Sequence, residues 1–155
     1  MAFAADHAVL FDRLDDELRQ APAPVQSLFA KIVAGACTRI PVLSVSGKSD
    51  RIDRLIAAGA WTDAALTLLE FELPAWKLRR LAYDGGEWFC SLSRQCCLPV
   101  SLDDTADGSH ELMPLAILRA FLQARRMAEV APSAASTVPQ IAADAGIAMC
   151  CDNFA

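Results

Sequence analysis

The chain has 155 residues, 54% hydrophobic and 21% charged, which is one domain's worth with enough apolar mass for a real core. That balance excludes disorder along most of the length. With 14 basic against 19 acidic residues and a net charge of -5, the chain is also poorly suited to general nucleic-acid binding, whose affinity comes from neutralising phosphates.

Asp6 and Asp12 interrupt an N-terminal stretch that has neither a basic region nor a continuous apolar one, so it does not read as a signal peptide. No run approaches the roughly 20 apolar residues that span a bilayer. The expectation is a cytoplasmic protein without membrane contact. Six cysteines, at 37, 90, 96, 97, 150 and 151, then read as reduced thiols and not as a disulfide framework.

In chain order, Asp6 can cap a first helix to about Gln20, with Leu10, Phe11, Leu14 and Leu18 as its apolar stripe. Ala21-Pro22-Ala23-Pro24 breaks it. Val25, Leu28, Phe29, Ile32, Val33 and Ala36 then keep a helical spacing closely. Ile40 to Val45 reads as a candidate short strand, weakened by Pro41. Ser49 or Asp50 caps a short helix carrying Ile52, Leu55 and Ile56, with Gly59 at its end. Another helix starts at Thr62 or Asp63 and stops by Leu73, before Pro74. Its last residues, Leu69 to Leu73, also alternate like a strand.

"WKLRRLAYDGGEWFCSLSR" predicts a β-hairpin turning at Asp84-Gly85-Gly86. A three-residue loop pairs Tyr83 with Glu87 and places Trp76, Leu78, Ala82, Trp88, Cys90 and Leu92 on one face, with Arg80 as a misfit. A two-residue Gly85-Gly86 loop separates the two tryptophans, so the first register is the expected one. Its other face carries Lys77, Arg79, Glu87, Ser91 and Ser93, with Leu81, Tyr83 and Phe89 among them. "SLDDTADGSHE" reads as a polar loop. A helix from about Leu112 to Met127, apolar nearly all round, should be the central buried one. The expected organisation is one α+β domain over residues 1–128, with a helical part at 1–36 and helices plus hairpin at 40–128. An Ala/Pro/Ser-rich tail follows over 129–155.

The segments Gly59 to Leu66, Leu73 to Leu81, Asp84 to Trp88, and Leu112 to Leu118 resemble, in this order, those of a group of small uncharacterised α-proteobacterial proteins. That likeness covers roughly residues 1–127 and implies no activity. The hairpin and last helix are more loosely similar to the phage ABA-sandwich domain, which brings no catalytic residues either.

Several stretches invite a site. Gly47-Lys48-Ser49 resembles the end of a P-loop, but the first glycine of that motif falls on Val42, so the backbone cannot wrap a phosphate. A turn with a serine helix cap is the better reading. Asp103, Thr105, Asp107 and Gly108 match the first half of a calcium loop, with Glu111 at position nine. Position twelve, which must be a bidentate glutamate, is Pro114. Asp103, Asp107 and Glu111 are therefore weak metal candidates, and the acids more simply solubilise the loop. The cysteines lack C-x-x-C spacing and only His7 and His110 supply imidazole, so no zinc site, metal or other cofactor is expected. Cys96-Cys97 and Met149-Cys150-Cys151 read as incidental thiols. A Cys90–His110 nucleophile pair fails because the expected register points Cys90 into the core. His110-Glu111 cannot face each other as helix neighbours, which leaves a capping role.

The hairpin's second face carries more weight. Lys77, Arg79, Leu81, Tyr83 and Phe89 mix cations with exposed aromatics, a combination that suits single-stranded nucleic acid or a protein interface. The acidic net charge favours protein. The expected function is a non-enzymatic, cytoplasmic protein-interaction module that self-associates and meets a further protein partner. The alternatives are a small-molecule or metal-dependent enzyme using the Asp103 to Glu111 loop, or a nucleic-acid-binding hairpin.

Overall fold

The computed structural model describes residues 2–40, 49–99 and 103–130. They form five helices and a three-stranded antiparallel sheet, an α+β fold. Helix α1 spans Ala2–Gln20, α2 Gln26–Ala36, α3 Ser49–Ala57 and α4 Trp61–Glu72. Strands β1 (Lys77–Asp84), β2 (Glu87–Ser93) and β3 (Thr105–His110) follow, and α5 (Met113–Val130) closes the described chain. No described helix is long and apolar enough to cross a membrane.

The helices lie close to where their periodicity puts them. Leu28, Phe29, Ile32 and Ala36 of α2 are buried, as are Phe11, Leu14 and Leu18 of α1. The alternating Leu69 to Leu73 segment continues α4 through Glu72, ending with the Leu73 amide bonded to the Leu69 carbonyl at 2.8 Å. The start of α1 lies before Asp6, which is inside the helix and so not its cap. Helix α5 is central as expected: Leu115, Ile117, Leu118, Phe121 and Leu122 are almost fully buried. Each contributes on the order of 1.5–3 kcal/mol by leaving water. It runs to Val130, two residues past the expected domain end.

Two expectations about the sheet are overturned, the polar loop and the hairpin register, while the candidate strand at Ile40 to Val45 lies, apart from its first residue, outside the described residues. Ile40 is helical, and residues 41–48, including Gly47 and Lys48, lie outside the described residues. The third strand is instead Thr105–His110, the stretch that reads as a polar loop. The hairpin register also differs. Asp84 pairs with Glu87 and Tyr83 with Trp88 across a two-residue Gly85-Gly86 turn. Both glycines have positive φ, 60° and 95°, as a type I′ turn requires.

A bulge makes this register compatible with a core. Leu78 pairs with Leu92 and Arg80 with Ser91, which leaves Arg79 as an extra residue in β1. The extra residue resets the strand's alternation. Leu78, Leu81 and Tyr83 therefore share the inner face with Trp88, Cys90 and Leu92, while Arg80 and Ala82 turn outward. Arg80 stops being a misfit, and Ala82 leaves the core.

Helix α5 lies on the inner face, against β3 and β2. It lies so close to β3 that a Cβ on Gly108 would meet the Ala120 backbone nitrogen and, at 2.6 Å, the Ala116 carbonyl oxygen. On the far side of α5, Glu72 is a fully buried carboxylate. It accepts hydrogen bonds from the backbone amides of Thr38, Arg39 and Ile40 at 2.7, 2.9 and 3.2 Å, and from the Thr38 hydroxyl at 3.0 Å. Arg125 of α5 stands 3.9 Å away and donates to the Ala36 carbonyl at 2.7 Å. This cluster fastens the end of α2 to α4 and α5. Its polar groups are satisfied, as burial demands.

Candidate site on the outer sheet face

Beyond the rung of Lys77, Ser93 and Thr105, three rungs read from the strand pairing carry the outer face to the turn. Arg80, Ser91 and Asp107 form one rung, and Ala82, Phe89 and Ser109 the next. Asp84 and Glu87 form the third, at the turn. Phe89 is 44% exposed at the centre. A hollow of about 630 Å³ opens beside it, lined by Arg79, Arg80, Asp84, Ser91, Asp107 and Arg119 among others.

Most of the polar groups around the hollow are already engaged. Arg79, the bulge residue, pairs with Asp103 and donates to the Leu98 carbonyl at 2.8 Å. Asp103 also accepts from the Ser93 hydroxyl. Asp107 accepts from Ser91 and, at 2.9 Å, from the Thr105 hydroxyl. Arg119 reaches round the β3 edge, donating to the Ser109 carbonyl and to both oxygens of Asp15, at 2.9 and 3.3 Å. Burial works to raise the Asp15 carboxyl, but the Arg119 hydrogen bond and the charges of Arg119, Arg19 and Arg126 outweigh it. Its pKa therefore lies below the ordinary carboxylate value. Among the described residues, Arg80, Asp84 and Glu87 are exposed and make no ion pair.

The structure divides the expected interaction set. Lys77, Arg79 and Phe89 belong to the outer face, whereas Leu81 and Tyr83 point to the other one, where Tyr83 remains 60% exposed. Leu81 packs against the core, and the Tyr83 ring sits 5.3 Å from Trp88. Arg80, Asp84, Ser91 and Arg119 were missing from that set. An Arg79–Arg80 pair gives no sequence sign of which arginine is the extra one, so the bulge that turns Arg80 outward is not readable.

The weak metal candidates lie on β3 or beside it. Thr105–His110 is extended strand, with Asp103 and Asp107 engaged as described, so the ligand-bearing loop does not form. No group of three or more potential metal ligands occurs among the described residues. Gly108 serves the approach of α5. The His110 Nδ1 accepts from the Leu112 amide at 2.9 Å, just before α5 begins.

Cys90 is buried on the inner face, and burial, followed by the nearby Asp107 charge, pushes its thiol up to about 12. Cys37 is likewise pushed up to about 12 by burial and the Glu72 charge, against the pull of Arg125. Neither supplies a thiolate near neutral pH. Cys96 and Cys97 are exposed free thiols. Cys150 and Cys151 lie outside the described residues.

No family model matches this chain, and neither a curated protein nor a solved structure does.

Proposed function

We propose that this is a non-enzymatic cytoplasmic module that acts through protein contacts, self-association among them, and that the outer sheet face is its contact surface. The observation that carries this reading is Phe89, a large apolar ring 44% exposed at the centre of an open sheet face. Single exposed apolar residues are ordinary. This one is ringed by hydroxyls and by charges of both signs, the composition of a polar rim around an aromatic anchor.

The engaged state of Asp103 and Asp107 speaks against an enzyme built on that segment. The acids Asp84, Glu87 and Asp107 beside Arg80 speak against nucleic acid, since they would repel phosphates. Free thiols at Cys37, Cys90, Cys96 and Cys97 fit a reducing compartment.

Light scattering of the full chain in reductant tests the reading. Twice the chain mass is expected for wild type at high concentration, falling to the chain mass for Phe89→Asp. A Phe89→Asp variant that associates as wild type does would remove this face from the contact.

A further inference from the structure

We propose that a second copy of this chain docks face to face on the outer sheet, about a two-fold axis along the Ala82–Phe89–Ser109 rung. The inference deepens the reading of that face as a contact surface and rests on it. The strand register carries the argument. Arg80 and Asp84 lie on β1 at equal distances either side of Ala82, and Ser91 and Glu87 lie on β2 at equal distances either side of Phe89. A two-fold axis along the central rung reverses strand direction and exchanges the two ends of each strand.

Arg80 of each copy then stands over Asp84 of the partner subunit, and Ser91 over the partner's Glu87. The two Phe89 rings meet at the axis, offset beside the hollows. Along β1 and β2 the face is thus complementary to itself, which is what an isologous interface requires.

The edges are less suited to pairing. The Arg79 bulge interrupts the free edge of β1, and bulges blunt edge-to-edge association. At the β3 edge, Arg119 occupies the Ser109 carbonyl. Asp107 and Glu111 carry like charge at one matching corner. Asp107 there already accepts from Ser91 and Thr105, and that corner is a cost set against the two Arg80–Asp84 contacts.

The contact is small. A face of three strands about 4.8 Å apart and about seven residues long buries on the order of 1,000 Å² from both copies, the low end for a specific interface. A reversible dimer is expected, with a dissociation constant in the micromolar range and weakened by salt.

Charge reversal tests the axis. Arg80→Asp places two acids against each other in the symmetric pair, and Asp84→Arg places two bases. Each variant alone should associate at least about tenfold more weakly than wild type. An equimolar mixture should restore wild-type affinity as a mixed dimer, because every Arg80–Asp84 contact then joins opposite charges. General attraction cannot produce that rescue. Each substitution shifts the chain's -5 by two units, so both copies stay acidic. Sedimentation equilibrium of each variant and the mixture, with circular dichroism to confirm folding, reads the result.

Wild-type association lost with Phe89→Asp but not rescued by mixing overturns the axis and leaves the contact face standing. Association untouched by either reversal does the same. A wild-type chain that stays monomeric at millimolar concentration overturns the second copy as occupant, whether the face is then free or covered by residues 131–155.

Discussion

On the inner face of the sheet, Cys90, Leu92 and Ala106 are at most 2% exposed, whereas Phe89, one residue along from Cys90, is 44% exposed on the outer face. The inner face is set by volume. At Gly108 of β3 the α5 backbone leaves no room for a side chain, and Ala106 and Leu92 are fully buried beside it. The outer face is set by charge and hydrogen bonding, with Asp107 accepting from two hydroxyls and Arg80 held out in solvent. A volume change should therefore be felt strongly on one side and weakly on the other.

Gly108→Val should give the largest effect. Its first added carbon collides with the backbone of α5 at Ala116 and Ala120, and helix backbone cannot move aside as a side chain would. Overpacking usually costs about 1–3 kcal/mol, and a backbone collision belongs at or above the top of that range. Denaturant melts should show a loss above about 3 kcal/mol or no folded protein. A loss below about 1 kcal/mol would mean that α5 does not lie against β3 this closely.

Glu72→Gln should come next, because it keeps the volume and changes only the charge and the donor pattern. The amide can still accept through its oxygen, but its NH2 then faces amide donors where Oε1 or Oε2 accepted. Removing a buried acceptor costs about 1–3 kcal/mol, and Arg125 loses the more distant of its two carboxylates while keeping Glu129 at 3.2 Å. A loss of about 2–3 kcal/mol is expected. A neutral result would mean that water, and not Glu72, satisfies the Thr38 to Ile40 amides.

The same contrast explains what could be read from the sequence. The helices were legible because apolar residues such as Leu28, Phe29, Ile32 and Ala36 repeat at the helical period. β3 was not, because the inner-face positions Ala106, Gly108 and His110 hold small or polar residues where a strand pattern needs large apolar ones. The closeness of α5 removes the signal by which a strand is recognised. The same Gly108 then lent the segment its likeness to a calcium loop. On β2 the alternation of Trp88, Cys90 and Leu92 was read correctly. On β1 it failed at Arg79, since one unpaired residue inverts every later position and two adjacent arginines look alike in either register. The candidate site inherits that error: the sequence groups Phe89 with Leu81 and Tyr83, which the bulge turns to the other face although Tyr83 stays exposed, and it gives no sign of Arg80 and Asp84.

Phe89→Thr should have the smallest effect on the folded monomer, and it probes the comparison most sharply. The ring is nearly half exposed, and its cross-strand neighbours Ala82 and Ser109 are too small to bury much of it. Threonine keeps the strand preference, so backbone propensity is little changed. What remains is the loss of cross-strand packing, which is worth roughly 0.2–1 kcal/mol per pair. Melts in dilute solution, where the dimer has dissociated, should therefore differ from wild type by less than about 1 kcal/mol. The same substitution measured at high concentration should lose more, because wild type then gains stability by association and the variant does not. A large loss that is independent of concentration would mean that another part of the same chain covers Phe89. The outer face would then be a second core in place of a contact surface, and the contrast between the two faces would disappear.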